Sequence, residues 1–259
     1  MKYTVLSLFP EIIDAYFASS IMAKAVARGI VSYSPVNIRD YALDKHKTCD
    51  DAPYGGGPGM LMLAEPLSRA LENILDNDSR KDAEAQSESI NKKKRRVIYL
   101  SPSGRVFDQK LARELAGEQE LVLICGRYEG IDQRIIDMYA DDEISIGDYV
   151  LSSGEAAALV LIDATYRLVE QVITPQSLEE ESFSQGLLEY PQYTRPEIFA
   201  MIKVPEVLLS GHHENIRKWR LEKQVEKTLA LRPDLIDRGL ENGVFNDETR
   251  RIIEAKRGN

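Results

Sequence analysis

The chain is poor in cysteine and has no long apolar stretch. Its two cysteines, Cys49 and Cys125, stand far apart in 259 residues, with no CxxC pair and no histidine cluster beside them. Neither a disulfide framework nor a structural zinc site is expected. The three histidines, His46, His212 and His213, show no metal-ligand spacing with carboxylates or cysteines. The longest uninterrupted apolar run, Ala156 to Ile162, falls far short of the ~20 residues that a membrane span needs. Pro10, Glu11 and Asp14 break the apolar start at Tyr3 to Phe9, and no small-residue cleavage site follows, which argues against a signal peptide. There is no GxSxG elbow for a nucleophilic serine and no Walker A lysine for a nucleotide phosphate. These absences predict a protein of the reducing cytoplasm without a membrane partner.

Positive charge is also in deficit, with a net charge of −9. That opposes a nucleic-acid partner, whose affinity rests on phosphate neutralisation. The excess acid is not evenly spread: residues 181–259 carry 13 acidic and 13 basic side chains, so it belongs to residues 1–180. Basic clusters at Lys92 to Arg96 and Arg217 to Lys223 remain available to steer RNA.

The length suits one large α/β domain and a smaller one. Tyr3 to Phe9 reads as a buried strand, and Pro10 opens a helix whose apolar residues Ile12, Ile13, Tyr16, Phe17 and Ile21 share a face until Gly29. The alternation recurs. Val97 to Leu100 precedes a helix near Asp108 to Leu115, and Leu121 to Cys125 precedes one near Ile131 to Tyr139. Glu143 to Ile146 precedes a helix from Glu155 to about Val172. Such alternation predicts a mostly parallel sheet covered on both faces. A polar, then basic, segment at about residues 76–96 is expected to be a solvated insertion. Residues 1–172 form the expected first domain, 173–180 a linker, and 181–259 a helical second domain with helices at Asn215 to Leu229 and Asp247 to Ala255.

Three segments follow strands: Ser101-Pro102-Ser103-Gly104, Gly126 to Gly130, and Gly147 to Gly154. Ligands of parallel sheets bind outside the carboxyl ends of the strands. Glycine and serine there let backbone groups approach an adenine edge, with Tyr99, Ile146 and Leu151 as apolar walls. Each segment alone also suits an ordinary strand-to-helix turn. Gly55 to Gly59 suits either a tight turn or close backbone approach to a ligand, and Arg127, Glu129, Asp132 and Arg134 either a surface ion-pair network or part of a site.

GRYEGID (Gly126 to Asp132), SIGDYVLSSGE (Ser145 to Glu155), YGGGPGM (Tyr54 to Met60), YLSPSGR (Tyr99 to Arg105), YTRPE (Tyr193 to Glu197) and VLLSGHHENIRKWR (Val207 to Arg220) closely resemble the bacterial tRNA (guanine-N1)-methyltransferases, the TrmD family of the SPOUT superfamily. The resemblance covers nearly the whole chain outside the insertion. It implies a parallel sheet with a deep trefoil knot, a smaller helical tRNA-binding domain, a homodimer with a composite active site, and methyl transfer from S-adenosylmethionine to N1 of the guanosine 3′ of the anticodon. A cofactor pocket is then expected from Tyr99, Pro102, Gly126, Glu129, Ile146, Gly147, Asp148, Tyr149, Val150, Leu151 and Gly154. Arg167 and Glu181 take the catalytic positions, as the group stabilising guanine O6 and the general base. Glu181 stands where the family usually has aspartate, with Glu180 as its neighbouring alternative. Ser103 and Ser153 replace the more usual Gln and Gly. The resemblance also implies Mg²⁺ dependence, with Glu129 and Glu181 as suspected ligands, and anticodon-loop contacts from Arg39, His46, Asp50, Ser182, Tyr193, Arg195 and Arg220. A knotted ribose 2′-O-methyltransferase and a binding module without turnover are the rivals.

Overall fold

Tyr3, Val5 and Leu6 are completely buried on the first strand, β1 (Lys2–Ser7), because helices cover both of its faces. The computed structural model describes residues 1–84, 95–174 and 181–258, which fall into two units, Met1–Ile173 and Thr174–Asn259. In the first unit, β1 joins β2 (Ser32–Asn37), β5 (Arg95–Val106), β6 (Glu120–Cys125) and β7 (Asp142–Ser145) in one parallel sheet, ordered β2-β1-β6-β5-β7, while β3 (Asp50–Asp51) and β4 (Leu61–Met62) form a separate antiparallel pair. Side chains alternate across the pleat. Tyr3, Val5, Leu121 and Leu123 face one core with α1 (Pro10–Phe17), α2 (Ser20–Ala27), α4 (Gln109–Ala116) and α6 (Glu155–Tyr166). Leu6, Val97, Tyr99, Val122 and Ile124 face the other with α3 (Ala64–Glu84) and α5 (Gln133–Tyr139). Strands covered on both faces need near-continuous apolar sequence, as Leu121 to Cys125 has.

The first unit departs from the expected elements at several points. The single helix expected up to Gly29 is two, because Ser19 is extended at φ −112°, ψ 144° and Ser20 has φ 52°. Helix α6 stops at Tyr166 instead of about Val172; Thr165 Oγ1 turns back to the carbonyls of Leu161 and Ile162, competing with the helical backbone. Strand β2 was not expected, since Pro35 interrupts it, yet an edge strand tolerates a missing N–H. Helix α3 packs Leu67, Ala70 and Leu71 at helical spacing and runs to Glu84, into the segment expected to be an insertion. The rest of that segment up to Lys94, and the linker residues 175–180, lie outside the described residues.

The second unit contains the short hairpin β8 (Ile198–Phe199) and β9 (Ile202–Lys203), then helices α7 (Glu206–Leu209), α8 (His213–Leu231), α9 (Pro233–Glu241) and α10 (Asp247–Arg257). Leu187, Val225, Ile236, Phe245 and Ile253 form its core. Pro233 opens α9 where a missing N–H costs nothing.

Candidate active site

Strand β5 does not end cleanly. Its pairing with β7 jumps between Leu100 and Arg105, which both face Ile144, so residues 101–104 bulge from the sheet edge. This bulge, the loop after β6 and the loop after β7 enclose a cavity of about 430 Å³, within the usual range for small-molecule sites. It sits at the carboxyl ends of β5, β6 and β7, where a parallel sheet offers unpaired backbone groups.

Short contacts hold the three loops together. The Gly154 N–H donates to the Gly126 carbonyl at 2.8 Å, and Arg127 pairs with Ser153 in an isolated antiparallel bridge. A β-carbon on Gly154 would meet the Cys125 Cα and the Gly126 nitrogen at 2.8 Å, so only glycine permits this approach. The glycine-rich segment docks on the same loop. The Glu129 N–H donates to the Met60 carbonyl and the Met62 N–H to the Gly130 carbonyl, both at 3.0 Å, and Gly59 (φ 88°) lies flat against the Glu129 side chain. At Gly59 the close approach is to a neighbouring loop of the chain itself.

Tyr99, Pro102, Gly126, Glu129, Ile146, Gly147, Tyr149, Val150, Leu151 and Gly154 all line the cavity. Asp148 is not among the lining residues and is exposed. Arg127, from the loop already singled out, lines it as well, and so do Gln133, Ile136, Glu143 and Ser145, which sequence reasoning had not placed there. Their common signal was position, at strand ends or in the first turn after the β6 loop. Tyr99 is 7% exposed, and burial pushes its hydroxyl above the ordinary tyrosine range, with Glu143 adding to the effect.

Beside the cavity, the Tyr128 hydroxyl donates to Asp50 Oδ1 at 3.0 Å while its backbone holds φ 59°. Burial and then Asp50 raise its pKa, while the Arg39 guanidinium opposes them. Arg39, Asp50 and Tyr128 thus form one polar group. His46 is exposed in the loop between them. A wider hollow of about 730 Å³ borders this loop, lined by Asp44, Asp51, Tyr54, Arg69, Asp132 and Arg134. Asp132 and Arg134 form a salt bridge at 2.7 Å, so part of the charge cluster is an ion pair.

Arg167 caps the carboxyl end of α6 in the first unit, and Glu181 lies near the start of the second. Glu180 is outside the described residues. In the second unit, Ser182 Oγ accepts the Glu189 N–H at 3.0 Å, Tyr193 lies 6.4 Å from Trp219, and the Arg220 guanidinium sits 4.7 Å over the Tyr190 ring. Arg195 is exposed.

A family model described as tRNA (Guanine-1)-methyltransferase TrmD matches residues 1–238. A tRNA (guanine-N(1)-)-methyltransferase of Treponema denticola is 59% identical over 254 residues, 98% of each chain. One of Treponema pallidum is 56% identical over 254 residues, covering 98% of this chain and 95% of the relative. One of Borreliella burgdorferi is 60% identical over 243 residues, covering 93% of this chain and 95% of the relative.

Proposed function

This chain belongs to the tRNA (guanine-1)-methyltransferase TrmD family, and on that premise we propose that it methylates N1 of guanosine 37, on the 3′ side of the tRNA anticodon, using S-adenosylmethionine. One observation carries the reading: a cavity of suitable size bounded by three close-packed, glycine-containing loops at the ends of adjacent parallel strands. The lining fits the cofactor. Gly126, Gly147 and Gly154 leave backbone groups open to an adenine edge, while Ile136, Ile146 and Leu151 offer apolar walls. The bound cofactor supplies an electrophilic methyl on a sulfonium, released as a neutral thioether.

The remaining chemistry belongs to the chain. Guanine N1–H is a weak acid and must lose its proton for the nitrogen pair to form the new N–C bond as the C–S bond breaks. Glu181 of one protomer takes that proton in a homodimer with a composite site, and Arg167 stabilises negative charge developing on O6. Fixing nucleophile and methyl in line contributes up to about 7–11 kcal/mol. Arg39, His46 and Asp50, with Ser182, Tyr193, Arg195 and Arg220, read a splayed anticodon-loop base. In the same proposal, the bulged β5 and the β7 loop belong to a trefoil knot, an exception to the rule against threaded chains, and the protein works in the cytoplasm.

The residues do not by themselves support a resident Mg²⁺. Among the described residues, no three His, Cys, Asp or Glu side chains cluster to hold a metal. Glu129 and Glu181, the suspected ligands, belong to different units.

Incubating the protein with methyl-labelled S-adenosylmethionine and an unmodified tRNA transcript tests the reading. N1-methylguanosine at position 37 is expected. A 2′-O-methylated product, or binding without product, would replace it with one of its rivals.

A further inference from the structure

Glu155 is the first residue of α6, directly after Gly154, yet it does not face water; it is 2% exposed. Its Oε1 accepts the Ser7 hydroxyl at 2.5 Å, and its Oε2 is buried with no hydrogen-bond partner among the described residues. A buried carboxylate oxygen left without a partner is costly and calls for a reason. The surroundings locate the charge. Gly154 and Ala157, on either side of Glu155 in the chain, line the cavity, as does Gly126, whose carbonyl is bonded to Gly154. The negative charge of Glu155 also helps to raise the pKa of Cys125, after the larger effect of burial. The carboxylate therefore lies just behind the wall made by Gly126, Gly154 and Ala157.

We propose that Glu155 is a specificity-determining residue that favours the positively charged methyl donor over the neutral product. The proposal rests on S-adenosylmethionine being the cavity's ligand. S-adenosylmethionine and S-adenosylhomocysteine differ by one methyl and one unit of positive charge on sulfur. Shape separates them poorly; a fixed negative charge behind the wall separates them well. The groups facing Glu155 bring no opposing charged side chain: Ser7 from β1 donates to it, Cys125 lies close on β6, and the amino end of α6 favours an anion. Arg127 lines the cavity but stacks its guanidinium 4.9 Å over the Phe9 ring. Glu129 and Glu143 line it too. Both are more open to solvent than Glu155, and exposure screens a charge that burial does not.

The test is calorimetric binding of S-adenosylmethionine and S-adenosylhomocysteine to the full chain and to Glu155→Gln, which keeps an acceptor for Ser7 and removes the charge. The ratio of the two affinities should shift by about tenfold against the methyl donor, with S-adenosylhomocysteine binding held. Glu155→Leu removes the charge without a polar group and should shift the ratio the same way, which covers a Gln variant that folds poorly. Glu155→Asp keeps the charge and should preserve the ratio. An unchanged ratio in the neutral variants, whether both affinities hold or fall together, overturns the proposal and leaves Glu155 a structural residue. Failure of the unaltered chain to bind either compound would instead overturn the cofactor reading itself.

Discussion

Gly154 and Cys125 touch through their backbones: a β-carbon at position 154 would stand 2.8 Å from the Cys125 α-carbon. This contact ties the loop after β7 to the end of β6, and both loops line the cavity. Gly154→Ala should push them apart. Overpacking of this kind costs about 1–3 kcal/mol, and the shift acts on the cavity wall itself. Calorimetry should show affinity for S-adenosylmethionine reduced by about tenfold or more, alongside a lowered Tm. Unchanged affinity would mean that the wall yields elsewhere.

Tyr3 is wholly buried beneath α6, its hydroxyl 2.8 Å from Thr165 Oγ1. Burial raises its pKa well above the ordinary tyrosine value, more than the hydrogen bond to Thr165 lowers it. The folded chain therefore keeps this proton at pH values where the unfolded chain loses it. Its contribution to stability is complete below about pH 10 and declines as pH rises beyond that. Thermal unfolding between pH 8 and 11 should show a steeper alkaline fall for the unaltered chain than for Tyr3→Phe. Parallel curves would show that Tyr3 does not couple folding to pH.

The parallel sheet was legible because strands covered on both faces leave continuous apolar runs such as Leu121 to Cys125. The cavity was legible for a related reason, as small residues directly after those runs mark strand ends open to a ligand. Strand β2 was hidden because Pro35 contradicts local strand preference and only an edge position excuses it. The break at Ser19 was hidden because the apolar face continues across it. Asp148 could not be separated from its neighbours by spacing alone, since it lies between two lining residues, Gly147 and Tyr149, and only the folded loop shows that it is exposed. The burial of Glu155 was equally invisible, because an acidic residue opening a helix normally faces water.

Arg39 lies in the 3-10 turn Ile38–Tyr41, and its charge reaches the Tyr128 hydroxyl beside the cavity. If it meets an anticodon-loop phosphate, Arg39→Ala should weaken tRNA binding and reduce the slope of log affinity against log salt by about 0.7, the value for one single-strand phosphate. Affinity for S-adenosylmethionine should hold, because Arg39 does not line the cavity. Filter binding across a salt series checks both expectations. A weaker affinity with an unaltered slope would indicate that Arg39 only props Tyr128.

In the proposed mechanism the proton on guanine N1 needs one acceptor, and Glu181 and Glu180 are the two candidates. The proposal gives it to Glu181, which directly precedes Ser182-Phe183. Neutralising the true base should lower kcat by about 10²–10⁴ with little change in affinity for either substrate, because a carboxamide keeps the shape and loses the basicity. Glu181→Gln should therefore lose turnover while Glu180→Gln retains it, and single-turnover methylation with saturating tRNA reads this directly. Arg167→Ala should slow the same step by stabilising O6 less, and combining it with Glu181→Gln should cost less than the product of the two single losses, since each group matters mainly when the other acts. The reverse ranking of the two glutamates would move the base by one residue and leave the rest of the mechanism standing. Full turnover in both would require the proton to leave by a route that uses neither carboxylate.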